Sequence, residues 1–199
     1  SNSSLVTSGY TADIGTGGVD IVSGILNATN STITCEGNWT NNADAVLTLT
    51  GSTIEFDAGS GTQTFNSGGI TFNNVTHSGA GTLQLTTNAL TVGGTFTNSA
   101  GTFDADTNDL ALTVTALATI SGGTFTASSA AAATFNGGLT ISGGTLTGAA
   151  GTVDVNGALT LSSGTLTAPS GTFTVNGNWN VTGGTFTPGT NTVTLDGTS

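Results

Sequence analysis

Residues 140–199 read TISGGTLTGAAGTVDVNGAL, then TLSSGTLTAPSGTFTVNGNW, then NVTGGTFTPGTNTVTLDGTS, three segments of 20 residues with one shared pattern. The preceding segment, 119–139, fits with one extra residue. Across the second segment three short runs alternate apolar and polar residues: Leu159-Thr160-Leu161, Thr165-Leu166-Thr167 and Phe173-Thr174-Val175. Alternation of period two buries one side of a strand and wets the other. The same order of strands recurs without reversal, so hairpins cannot connect them. A wound ribbon whose coils stack in parallel can. The expected fold is all-β, a right-handed parallel β-solenoid (β-helix) with about 20 residues and three short strands per coil; its hand follows from the crossover rule. About ten coils, at about 4.8 Å each, make a rod of roughly 48 Å.

Working outward, residues 24–39 (GILNATNSTITCEGNW) align without a gap on 164–179 (GTLTAPSGTFTVNGNW), an offset of 140, or seven units of 20. Residues 61–118 carry insertions. The expected organisation is therefore a lead-in segment or degenerate coil at 1–20 and a solenoid at 21–199, irregular at 61–118 and regular from 119 on. Core columns follow. One holds Phe96, Phe125, Leu146, Leu166 and Phe186. A second holds Phe135, Val155, Val175 and Leu195, with Cys35. A third holds Val153, Phe173 and Val193, with Ile33. A fourth holds Ile120, Ile141, Leu161 and Val181. Asn136, Asn156 and Asn176, each followed by Gly, are expected to form an amide ladder at a corner where Gly supplies a positive φ.

Composition agrees and excludes much. The 199 residues include 44 Thr and 32 Gly, one Cys, one His and 11 acidic groups, with no Lys or Arg, for a net charge of −11. Only 6% are charged while 35% are hydrophobic, and mean hydropathy is +0.18, unlike a disordered chain. Without a fixed cation the chain cannot neutralise phosphates, so nucleic acid is excluded as a partner, and an anionic membrane surface repels it. Lys nucleophiles, Arg clamps and P-loop chemistry are excluded too. No apolar run approaches a membrane span, and no signal peptide is visible at Ser1-Asn2-Ser3-Ser4, so the expectation is that one was removed or that the sequence is an excerpt of a longer chain. A lone Cys is neutral about redox compartment. Sequons stand at Asn2, Asn27, Asn30, Asn38, Asn74 and Asn180, as a Thr-rich chain produces by chance.

The stretch GTLTGAAGTVDVNGALTLSSGTLTAPSGTFTVNGNWNVTGGTFTPGTNTVTLDG resembles repeats of very large secreted or surface-anchored bacterial proteins, relatives of the filamentous-haemagglutinin and autotransporter-like β-solenoids. Residues 61–97 are similar to the linking element of such proteins. The resemblance covers roughly 20–199. It implies an extracellular, cell-surface location and a structural role as stalk, fibre or adhesin, and it carries over no catalytic residue. Leu195-Asp196-Gly197-Thr198-Ser199 matches the earlier Phe56-Asp57-Ala58-Gly59-Ser60, where the chain continues, so the sequence stops in mid-pattern without a cap. The expectation is a longer polypeptide or end-to-end self-association into filaments.

Candidate sites are few. Thr-x-Thr recurs at Thr95/Thr97, Thr124/Thr126, Thr145/Thr147, Thr165/Thr167 and Thr185/Thr187. Outward pairs at one place in successive coils form a grid of hydroxyls and methyls, similar to the ice-binding face of Thr-x-Thr antifreeze solenoids; ice or carbohydrate is the alternative ligand surface. Thr also suits any exposed strand position. Asp104, Asp106, Asn108 and Asp109 have calcium-loop spacing, although the turn Gly and the closing Glu of such loops are absent. As strand residues Asp104 and Asp106 simply face solvent. No other cofactor is expected. His77 reads as an exposed loop residue, Cys35 as a buried inert thiol, and Trp39 and Trp179 as packing residues at equivalent corners. Asp154 and Asp196 lie in different coils and slots, with no basic residue to help them, so the chain is not expected to be an enzyme.

Overall fold

The structure, a computed structural model, describes residues 4–6 and 9–197. Asn2, Thr198 and Ser199 lie outside the described residues. The chain winds into a β-solenoid of about nine turns with about 21 residues each; 53% is strand, and no α-helix occurs among the described residues. Every strand pairing is parallel. Spacing between partners varies, from 20 residues at Thr62 and Thr82 through 22 at Phe96 and Ala118 to 26 at Trp39 and Phe65. That variation is why nine turns, rather than ten of 20, fill the length.

Each turn lays one short strand on each of three faces. The first face runs Thr11–Asp13, Thr32–Cys35, Thr53–Phe56, Asn74–His77, Phe96–Asn98, Ala118–Ile120, then 139–141, 159–161 and Trp179–Val181. The second runs 19–21, 39–41, Thr62–Asn66, Thr82–Leu85, Thr102–Asp104, Thr124–Thr126, 145–147, 165–167 and Thr185–Thr187. The third is in two parts. Ser4–Val6, 25–27 and 46–48 form one; Thr71–Phe72, Leu90–Val92, Leu112–Val114, Ala132–Phe135, Thr152–Val155, Phe173–Val175 and Val193–Leu195 form the other. Residues 11–13 and 19–21 thus belong to a full turn, so much of the 1–20 segment is coil.

Because strand residues alternate in and out, the inward ones stack into a single continuous core. A buried Leu or Phe contributes about 1.5–3 kcal/mol before ordering entropy is subtracted, so one turn is unstable alone and the stack is stable. Phe125, Leu146, Leu166 and Phe186 form one file, and Phe135, Val155, Val175 and Leu195 another. Val153, Phe173 and Val193 form a third, and Ile120, Ile141, Leu161 and Val181 a fourth, as expected.

Four assignments are corrected. Phe96 stands on the first face between Val75 and Ala118, and Phe103 takes the place beneath Phe125. Ile33 and Cys35 also lie on the first face, beneath Ile54 and Phe56. Trp39 is on the second face and Trp179 on the first, so they are not equivalent. The gapless match at an offset of 140 was therefore misleading. Strands on all three faces share one alternating pattern, and corners absorb one or two residues, so sequence similarity alone does not fix the face.

The amide ladder is present: Asn176 donates to Asn156 Oδ1 at 2.7 Å, and Asn156 to Asn136 Oδ1 at 2.8 Å. Its glycines have a different reason from the one expected. Gly137, Gly157 and Gly177 do not have positive φ. They are required because neighbouring turns touch there: a Cβ on Gly177 would lie 2.3 Å from Gly157 O.

Candidate functional surface

The second face carries the most regular outward chemistry. Thr62, Thr82, Thr102, Thr124, Thr145, Thr165 and Thr185 are successive register partners, a file of seven. Beside them Thr126, Thr147, Thr167 and Thr187 form a second file, which continues downward through Asp104, Gln84 and Thr64. Partners sit about 4.8 Å apart along the rod. The expected grid is therefore real for Thr124/Thr126 through Thr185/Thr187. Thr95/Thr97 does not belong to it: Thr97 lies on the first face between Thr76 and Thr119, because the strand after Gly94 is first-face strand. The first file reaches three rungs lower than the Thr-x-Thr motif indicated, through strands whose second outward residue is not always Thr.

Asp104 ends its strand and caps the turn that follows. Its Oδ1 accepts the backbone N–H groups of Asp106 and Thr107, and its Oδ2 accepts the Thr107 hydroxyl and the Gln84 amide. Burial pushes its pKa up, but these hydrogen bonds outweigh burial and hold the carboxyl below the usual range. Asn108 donates to Leu85 O, and Asp109 accepts from the Ser128 hydroxyl, so Asp104, Asn108 and Asp109 serve separate partners. Among the described residues no three His, Cys, Asp or Glu side chains gather as a metal site.

His77 is not an exposed loop residue. It is 1% exposed, points inward from Asn74–His77, and its Nδ1 lies 2.8 Å from Asn98 Oδ1 one turn above. Nδ1 donates, since the amide oxygen can only accept. Asn98 in turn donates to Gly122 O at 2.9 Å. Burial lowers the His77 pKa, and the Asn98 bond offsets this only in part. Strand alternation was the signal available, because Val75 and His77 fall on the same parity. Cys35 is fully buried, and burial raises its pKa; its thiol lies 3.0 Å from Gly37 O. Asp57 is pushed up by burial, then by Glu55 and Asp13.

The third face contains a feature the sequence reading missed. From Trp39 on the second face to Thr53 on the first takes 14 residues; one turn later, from their partners Phe65 to Asn74, it takes nine. The corner from first to second face is longer by the same five: Thr32 to Trp39 is seven residues, Thr53 to Phe65 twelve. The chain thus cuts across the third face with only Thr71–Phe72. No strand pairs the upper edge of 46–48 with the lower edge of Thr71–Phe72 among the described residues. A cleft of about 390 Å³ opens there, lined by residues 47–50 of one turn, 71–73 of the next and Gly93 of the turn above. Beneath it an aromatic cluster fills the core: Trp39 meets Phe72 edge-on at 5.7 Å, and Phe65 meets Phe72 at 4.9 Å and Phe56 at 4.6 Å. In comparisons with known proteins no family model, no curated protein and no solved structure matched the chain.

Proposed function

We propose that this chain is a stiff structural rod, a segment of an extracellular bacterial fibre, stalk or adhesin without catalytic activity. One observation carries the reading: nine or so turns share one unbroken core, with backbone ladders along first and second faces from end to end. Bending such a rod strains many parallel hydrogen bonds and packed side chains at once. The extracellular assignment rests on the resemblance of the repeats. The last described turn leaves Val181 and Leu195 exposed and Trp179, Phe186 and Val193 partly so, where residues one turn below are covered. A further turn covers these groups in this reading, supplied by the same polypeptide or by a second copy stacked end to end. Electron microscopy and small-angle scattering of the purified chain test it. The rod predicts particles about 43 Å long per chain, joining lengthwise as concentration rises if copies stack. Compact spheres or flexible coils would end the proposal.

A second reading has its own observation, the file of seven threonines beside a file of four on one nearly uncharged face. A rigid grid with a repeat of about 4.8 Å presents methyls and hydroxyls to an ordered surface such as ice. Thermal hysteresis and ice-crystal shape decide it. The grid reading requires shaping by the chain and its loss in the double variant Thr145→Lys, Thr165→Lys. Unshaped ice eliminates it and leaves the rod.

A further inference from the structure

We propose that Asn136, at the lowest corner of the amide ladder, is a site of spontaneous covalent modification: it loses its side-chain nitrogen through a succinimide formed with Gly137 and becomes an acidic residue. Asn-Gly stands at 136–137, 156–157 and 176–177, each time at the corner where the chain leaves the third face. In such a pair the glycine nitrogen can close a five-membered ring on the asparagine Cγ, and glycine has no Cβ to crowd the attack. Among the described residues none of these three glycine nitrogens donates a hydrogen bond. The reaction balances with water alone. The Gly137 nitrogen gives its proton to hydroxide and attacks Asn136 Cγ. The Cγ–Nδ2 bond breaks, and Nδ2 takes a proton from water and leaves as ammonia. Water then adds to one of the two ring carbonyls and opens the ring, to aspartate or to its isoaspartyl isomer. Nothing is oxidised or reduced.

The ladder decides which corner reacts, because it has a direction. Asn176 Nδ2 donates down to Asn156 Oδ1 at 2.7 Å. Asn156 Nδ2 donates down to Asn136 Oδ1 at 2.8 Å and also to Asp154 Oδ2 at 3.3 Å. Each of those nitrogens must give up its bonds before it can leave. Asn136 Nδ2 has none to give up among the described residues; Phe135 stands over Val114, so the place beneath Asn136 belongs to Thr115. The bond that Asn136 Oδ1 receives draws electrons from Cγ and favours attack. Asn176 lacks that help, because its Oδ1 is buried without a partner. Exposure points the same way: Asn136 and Gly137 are exposed, whereas Asn176 and Gly177 are half-buried. The product also fits best at the bottom. A carboxylate at 136 still accepts from Asn156, now in a charge-assisted bond. A carboxylate at 156 would face Asn136 Oδ1 with no hydrogen between them.

The test incubates the folded full chain in heavy-oxygen water at mildly alkaline pH. Fragmentation mass spectrometry of chymotryptic peptides then locates the incorporated oxygen. Asn136 should take it up at least about fivefold faster than Asn156 or Asn176, the factor that one hydrogen bond of typical net strength supplies. In urea, where the ladder is gone, the three rates should converge. Asn156→Ala removes the acceptor beneath Asn176, so Asn176 should then react at least about threefold faster, with circular dichroism reporting that the strands are intact. The proposal is overturned if Asn136 of the folded chain takes up no heavy oxygen, or if Asn156 or Asn176 takes it up as fast. It is overturned too if the order persists in urea, or if Asn176 of the folded Asn156→Ala chain reacts no faster than before.

Discussion

His77 is the only His in this protein, and it is buried, so acid should loosen the rod through it. In the unfolded chain the ring protonates near its ordinary 6.5; in the fold burial lowers that value. Between the two values the unfolded state binds more protons. Stability is therefore full above pH 6.5 and is lost as pH falls toward the folded value. The slope is at most about 1.4 kcal/mol per pH unit, the limit in which only the unfolded ring takes up the proton. Carboxylates act lower. Asp104, held below its usual 3.8, gives stability that is present above that value and lost beneath it. Asp57, pushed above 3.8, acts with the opposite sign, giving stability below that value that is lost as pH rises through its folded one. The informative window thus ends near pH 5. Urea midpoints at pH 7.5, 6.5, 5.75 and 5 should fall for the natural chain and stay nearly flat for His77→Gln, whose amide keeps a donor for Asn98 Oδ1. Amides of Asn74–His77 and Phe96–Asn98 should exchange faster in step. A flat profile for the natural chain, or an equal fall in His77→Gln, would refute the account.

Leu146 lies fully buried between Phe125 and Leu166, so Leu146→Ala should cost about 2.7–5 kcal/mol, whereas Thr147→Ala, on the outward side, should stay within about 1 kcal/mol; chemical denaturation of both compares them. Gly101 has a φ of 52°, and a Cβ there would come within 2.1 Å of Gly81 O, so Gly101→Ala should cost more than a typical Gly→Ala change of about 1 kcal/mol, seen as a lower thermal midpoint. The Cys35 thiol should react with a disulfide reagent only at the rate of opening, and fully in urea; rapid labelling of the folded chain would show that it is accessible. Trypsin, which needs Lys or Arg, should leave the pure chain intact on a gel, folded or unfolded, and any tryptic fragment would contradict this.

What the sequence alone determined is the wound, parallel, three-stranded coil. Two-residue alternation says which side chains go in, and a repeat of 20 without reversal says that strands stack rather than fold back. In the stretch 119–199, where corners keep their length, this placed Leu146 over Phe125 and Val175 over Val155. Only the tertiary structure decided which face a strand occupies where corner lengths change. The strands Phe96–Asn98 and Thr124–Thr126 look alike, yet 22-residue turns put them on different faces, and with them Thr97, Ile33 and Cys35. The burial of His77 and the break in the third face at Thr71–Phe72 were hidden for the same reason. Five residues moved from one side of a turn to the other leave local pattern and first-face spacing unchanged, so they show only when the turns are laid on one another.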